Sequence, residues 1–309
     1  VKKLGSVAPY LIAAALIAAS GPTRAQLGPS VTPPELPQGK DVFNLTLDEV
    51  KRYSAIQNFE VLGHEYFKIP ERTPFAKGEG RSGPELGSGF NTVRVYDGIA
   101  YLGGYDGPPT LFGILIADVH DPLHMVPLSF IPCHVGTRCP YLRVNREKKI
   151  LMFGNDKNKN NPNQPPSGEA VKSGWEFYDV SDPRHPRELS FVSAAPDGST
   201  HGMASDDSFV YGCGQYAADV NAQAVQIINY SSPEEPEQVA TWHVPGQVKG
   251  EEYRPLDAKG PDGKPELVWC HEIVPYNNRL YIGYRDSGMV VLDVTDRRKP
   301  REIADFDYI

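Results

Sequence analysis

The chain has 309 residues, with 31 Lys+Arg against 39 Asp+Glu for a net charge of −8, and is 40% apolar. This is ample material for a globular core, while the acidic balance without a Lys/Arg run excludes nucleic-acid binding, which needs a basic footprint. Glycine and proline number 29 each, well above ordinary usage; with no Gly-x-x period, collagen is excluded and many short elements joined by turns are expected.

The first elements in chain order read as targeting and lead-in. Lys2 and Lys3 precede a thirteen-residue apolar stretch from Val7 to Ala19, and Thr23-Arg24-Ala25 offers small residues for cleavage before Gln26. Such a stretch covers only about 20 Å as a helix, short of a ~30 Å hydrocarbon core. Residues 1–25 are therefore expected to be a signal peptide cleaved after Ala25, leaving no transmembrane span and a periplasmic or secreted protein. Residues 26–88 form a Pro-rich lead-in. Within it, Thr46 with Glu49 three residues on reads as a capping box opening a short helix over 46–55. Residues 58–69 alternate as a strand that would add a partial unit to the strands downstream.

From residue 89 onwards the chain repeats. Four segments, 113–132, 174–194, 224–245 and 288–309, each show an apolar strand ending in Asp or Asn, a turn, and a second apolar strand. The markers Asp118, Asp179, Asn229 and Asp293 recur every 50 to 64 residues or so. A short polar side chain that bonds its own backbone makes the tight turn, and proline presets φ. Each segment comes after another strand pair, over 91–105, 139–154, 201–214 and 269–284. Four antiparallel strands per repeat, stacked in series, make the blades of a β-propeller, an all-β fold. Four readable blades over 89–309 and a stop at Ile309 directly after a strand suggest an incomplete ring; the first residue, Val1, fits a GTG start.

The units ILIADVHDP, EFYDVSDPRHPRELS and VVLDVTDRRKPREIA resemble the LVIVD repeat of exported bacterial and archaeal β-propellers, with unit three departing from it at Asn229-Tyr230-Ser231-Ser232-Pro233. The resemblance covers about residues 89–309. It implies an exported propeller, commonly a larger, seven-bladed ring of which this chain is a C-terminally incomplete member. It implies no reaction.

Chemistry is expected where the innermost strand of each blade begins. His201 precedes Gly212 and His271 precedes Gly283 by nearly equal counts, so the two occupy equivalent stations in consecutive blades. Asn91 and the pair Tyr141-Leu142 are the counterparts in blades one and two. His134 lies in a loop that Cys133 and Cys139 would close if paired. His201, His271 and His134 are thus candidate ligands for a transition metal such as Cu, Zn or Fe, since neutral imidazole suits these ions, and Glu272 is the candidate catalytic base. Backbone pinning between blades is the alternative role for these histidines. The remaining histidines read as surface or packing residues. The spacing of Cys133, Cys139, Cys213 and Cys270 matches no zinc pattern and leaves both disulfides and buried thiols open. Polar insertions over 155–173 and 247–267 read as solvent loops, with a lid or a partner contact as the alternative role. Hydrolase, P-loop, dinucleotide and zincin motifs are absent. The functional expectation is a binding or interaction module for a protein or small-molecule ligand; the rival is a metal-dependent oxidoreductase or lyase at the channel mouth.

Overall fold

The computed structural model describes residues 46–53, 62, 90–105, 112–159, 164–195, 198–251 and 268–306. The expected signal peptide and the expected strand at 58–69 lie outside these, apart from Leu62. The helix α1 (Leu47–Tyr53) forms where the capping box places it. The Thr46 amide donates to Glu49 Oε2 at 2.9 Å and the Glu49 amide to Thr46 Oγ1 at 3.3 Å, so each residue satisfies an amide left open at the helix start.

Apart from short helical turns such as Arg285–Ser287, the other described elements are antiparallel strands. Sheet one holds β1 (Phe90–Tyr96), β2 (Ile99–Gly104), β3 (Gly113–Asp118) and β4 (Val126–Pro132), paired in chain order. Sheet two holds β6 (Leu142–Asn145), β7 (Ile150–Lys157), β8 (Gly174–Asp179) and β9 (Arg187–Ser193), with a two-residue strand β5 (Thr137–Arg138) on the far end of β7. Sheet three is β10 (Thr200–Ser205), β11 (Phe209–Gly214), β12 (Ala224–Asn229) and β13 (Glu237–Trp242). Sheet four is β14 (Glu272–Tyr276), β15 (Arg279–Gly283), β16 (Met289–Asp293) and β17 (Arg301–Phe306).

The repeated turn has one geometry in all four sheets. The marker side chain accepts the amide two residues on: Asp118 from His120 at 3.0 Å, and Asp179 from Ser181, Asn229 from Ser231 and Asp293 from Thr295 at 2.9 Å each. The residue after each marker donates its amide to the turn between the first two strands, as Val119 does to Gly98 O and Val294 to Asn278 O, both at 2.8 Å. Asn229 replaces Asp without loss because either side chain supplies the accepting oxygen.

Neighbouring sheets pack face to face through apolar side chains. Ile114, Ile116 and Tyr101 of sheet one meet Leu142, Leu151 and Phe153 of sheet two. Trp175 and Phe177 of sheet two meet Met203 and Val210 of sheet three. Val225, Ile227 and Tyr211 of sheet three meet Ile273, Leu280 and Ile282 of sheet four. The first strands β1, β6, β10 and β14 lie side by side along the series. In sheets two and three this stacking covers the third strand on both faces, and β12 is buried along nearly its whole length.

All four cysteines are paired. Cys133–Cys139 closes the loop between sheets one and two, and Cys213–Cys270 ties β11 to the approach of β14, with Cα separations of 6.0 and 5.2 Å in the range a disulfide spans. The polar stretch from Asn155 departs from the loop expected there. β7 continues to Lys157, and Asn155, Asp156 and Asn158 are buried. Gln247, expected in the second solvent loop, is also buried, its amide nitrogen donating to Asn221 O and Gln223 O at 3.0 and 3.1 Å. In each case polar side chains satisfy backbone groups between sheets, a role that local polarity does not distinguish from solvation.

Candidate functional site

The starts of the first strands converge as their equivalent stations predict. Tyr141 stands immediately before β6, His201 is the second residue of β10, and His271 immediately precedes β14. Their backbones are held by ladder bonds: Gly154 N to Tyr141 O at 3.3 Å, His271 N to Gly283 O at 2.9 Å, and Gly202 N to His271 O at 3.2 Å. That last bond joins sheet three to sheet four. It requires glycine at 202, because a Cβ there would overlap the His271 carbonyl oxygen. A β-bulge between Thr200 and Met203 carries His201 out of the regular ladder.

The three side chains form one column. Tyr141 Oη lies 3.1 Å from His201 Nε2, their rings 4.7 Å apart at 62°. The His201 and His271 rings come next at 4.6 Å and 61°, edge to face. On the other side of His201, Nδ1 faces Asp156 Oδ2 at 4.0 Å, and Asp156 Oδ2 accepts Arg138 Nε at 2.8 Å. The Arg138 guanidinium sits 4.0 Å over the Tyr105 ring, and that of Arg285 sits 4.7 Å over Trp269.

Burial sets the protonation of this group. Desolvation lowers the His201 pKa to about 4, helped by the charges of His271, Arg138 and Arg285. His271 is lowered by desolvation and then by Arg285. Asp156 is pushed up to about 6 by desolvation, against the opposing pull of Arg138. Glu272 is raised by desolvation too, with Arg143 opposing. At neutral pH the column therefore holds two uncharged imidazoles.

The remaining predicted site residues separate from the column. His134 turns to the opposite side of sheet two, where Nε2 lies 2.7 Å from the buried Glu176 carboxylate and the ring meets Phe191 edge-on at 5.3 Å. The cause is the buried side chain of Asn155, which accepts the His134 amide at 3.0 Å and donates to Glu176 at 2.6 Å, anchoring the loop there. Glu272 points to Arg143 Nη2 at 3.3 Å. Among the described residues no group of three or more His, Cys, Asp or Glu is arranged to hold a metal ion. Asn91, the counterpart in sheet one, is exposed. His120, His124 and His185 are exposed turn residues bonded to Asp118, Asp121 and Asp182. Sequence reasoning missed Asp156, Arg138, Arg143 and Arg285. The one available signal for Asp156 was that Asn155-Asp156 continues the apolar strand ILMFG in phase.

No family model matches this chain, and no curated protein matches it. Among solved structures it is similar to a hypothetical selenium-binding protein from Sulfolobus tokodaii, at 12% identity and a TM-score of 0.45 over 71% of this chain and 50% of that one. A protein of unknown function from Bacteroides thetaiotaomicron matches at 11% identity and a TM-score of 0.38, over 74% of this chain and 47% of that one. The computationally designed protein Ika4 matches at 14% identity and a TM-score of 0.37, over 74% of this chain and 97% of that one. The chain thus spans about half the length of the two natural proteins. Among the described residues no helix is long and apolar enough to cross a membrane.

Proposed function

We propose that the four sheets are consecutive blades of an exported β-propeller of LVIVD type, acting as a binding module with its ligand site at the channel mouth around Tyr141, His201 and His271. The observation that carries this reading is that three consecutive sheets each send one side chain from the start of the first strand, His201 and His271 from equivalent positions and Tyr141 from one residue further on, into a single contacting column. A surface assembled from several repeats is how repeat proteins commonly build binding sites. Stacking in series also has support at the far end. Met289 of sheet four is 38% exposed, whereas its counterparts Ile114, Trp175 and Val225, each four residues before the marker, are fully covered by the next sheet. Sheet four therefore carries a face suited to a further blade, as a larger ring requires.

Binding is favoured over catalysis because Glu272, the candidate base, is engaged by Arg143. The second reading, a metal-dependent oxidoreductase or lyase, rests on the contact between the His201 and His271 rings. Both are tested on the purified protein and its His201→Ala/His271→Ala variant. Thermal melts against a panel of sugars, aromatic acids and small anions should show compounds that stabilise the parent and leave the variant unmoved. Identical responses of the two proteins to every compound overturn the binding site. Stoichiometric Cu, Zn or Fe in the parent that is lost in the variant establishes the second reading instead.

A further inference from the structure

Beside the column lies a concentration of positive charge that is unexpected in a chain of net charge −8. Arg94 on β1 and Arg143 on β6 occupy equivalent positions: Arg94 pairs with Tyr101 and Arg143 with Met152, whose own partners are Ile116 and Phe177, each two residues before the marker. Each arginine donates Nη1 to the carbonyl of the residue before it, Arg94 to Val93 O at 3.0 Å and Arg143 to Leu142 O at 2.8 Å. The two guanidinium groups are thus held in the same way on neighbouring strands. One carboxylate answers them. Glu272 Oε1 accepts Arg143 Nη2 at 3.3 Å, and Glu272 is itself 42% exposed. Arg94 makes no ion pair with a carboxylate of the described residues.

The balance is therefore two fixed positive charges against one half-exposed negative one. Burial, with repulsion from Arg94 next, lowers the Arg143 pKa in spite of Glu272. Like charges brought together cost free energy unless a counter-charge joins them. A guanidinium fork matches a planar or tetrahedral oxyanion with paired N–H donors.

The geometry points to Arg94 and Arg143 as an oxyanion-binding pair, so that the ligand of the mouth carries a carboxylate or phosphate group placed between β1 and β6. The assignment rests on the binding reading above and supplies the ligand's charge. Glu272 sits directly after His271, which joins the arginine pair to the imidazole column and lets one anionic ligand contact both.

The test is isothermal titration of the whole chain with succinate in one arm and inorganic phosphate in the other, at constant ionic strength set with chloride. Saturable binding of either probe is expected, and the stronger arm identifies the oxyanion. Arg94→Gln should weaken it by ~10-fold or more, the loss of one charge-assisted contact. Arg143→Gln is expected to do the same. Arg143→Lys, which keeps the charge opposite Glu272 but loses the fork, separates recognition from folding and should bind more weakly than the parent while melting close to it. Absence of binding in both arms, or binding unchanged in Arg94→Gln, overturns the assignment. The His201→Ala/His271→Ala variant distinguishes the two readings. If uncharged compounds still require the histidines while neither probe binds, only the oxyanion assignment fails; if nothing depends on the histidines either, the binding reading fails with it.

Discussion

Tyr141 and His201 are 60 residues apart, yet the tyrosine hydroxyl lies 3.1 Å from Nε2 of the imidazole. The opposite ring nitrogen faces the Asp156 carboxylate at 4.0 Å. A carboxylate on that side favours the proton on Nδ1, leaving Nε2 to accept the tyrosine O–H. Tyr141→Phe should therefore cost about 1 kcal/mol, the net value of one hydrogen bond, in urea unfolding. Nitrogen NMR should report the Nδ1–H tautomer of His201 in the parent at neutral pH. An Nε2–H tautomer would reverse the assigned direction of the bond.

Asp156 and His201 should pull stability in opposite directions with pH. The folded Asp156 carboxyl titrates at about 6 against an ordinary 3.8, so its contribution to stability is present below pH ~4 and is lost as pH rises to about 6. The folded His201 imidazole titrates at about 4 against 6.5, so its contribution is present above pH ~6.5 and is lost as pH falls to about 4. The two nearly cancel in the parent. Asp156→Asn should leave stability rising between pH 4 and 6.5, and His201→Gln should leave it falling over pH 4 to 6, each by up to ~3 kcal/mol. Parallel profiles for the two variants would show that these groups do not titrate as described.

The two disulfides should differ in worth. Cys213–Cys270 spans 57 residues and Cys133–Cys139 only 6. Loop-closure entropy assigns them about 4 and about 2 kcal/mol. Denaturant unfolding of Cys213→Ala/Cys270→Ala and Cys133→Ala/Cys139→Ala should rank them in that order. The longer bridge also ends at Cys270, beside His271, so its removal should loosen the column, read as a changed His271 NMR signal.

Two glycines provide a matched pair for the junction between sheets three and four. A Cβ at Gly202 would overlap the His271 carbonyl oxygen, whereas at Gly283 the nearest atom is 4.0 Å away. Gly202→Ala should destabilise by ~2 kcal/mol or more, the usual scale of overpacking, and displace His271. Gly283→Ala should be close to neutral. Equal melting temperatures would mean that the backbone contact between β10 and β14 is looser than described.

What could be read in advance was governed by short-range bonds. The marker side chain reaches an amide two residues on, and Thr46 reaches one three residues on, so Asp118, Asp179, Asn229, Asp293 and the capping box declare their conformations locally. From the regular return of those turns came four antiparallel sheets and the equivalent stations of His201 and His271.

The interior required the stacking of the sheets. Asp156 looks like the start of a solvated loop until its place in β7 buries it beside Thr200, and His134 looks like a third ligand until buried Asn155 and Glu176 claim it. The pairing of Cys213 with Cys270 and of Arg143 with Glu272, 129 residues away, likewise has no local signature. Such contacts depend on how neighbouring sheets pack and on which polar groups that packing strips of water, and these are properties of the assembled chain. Local hydrogen bonds therefore determined the strands and turns of this protein, and desolvation between sheets decided the charge and company of its candidate site.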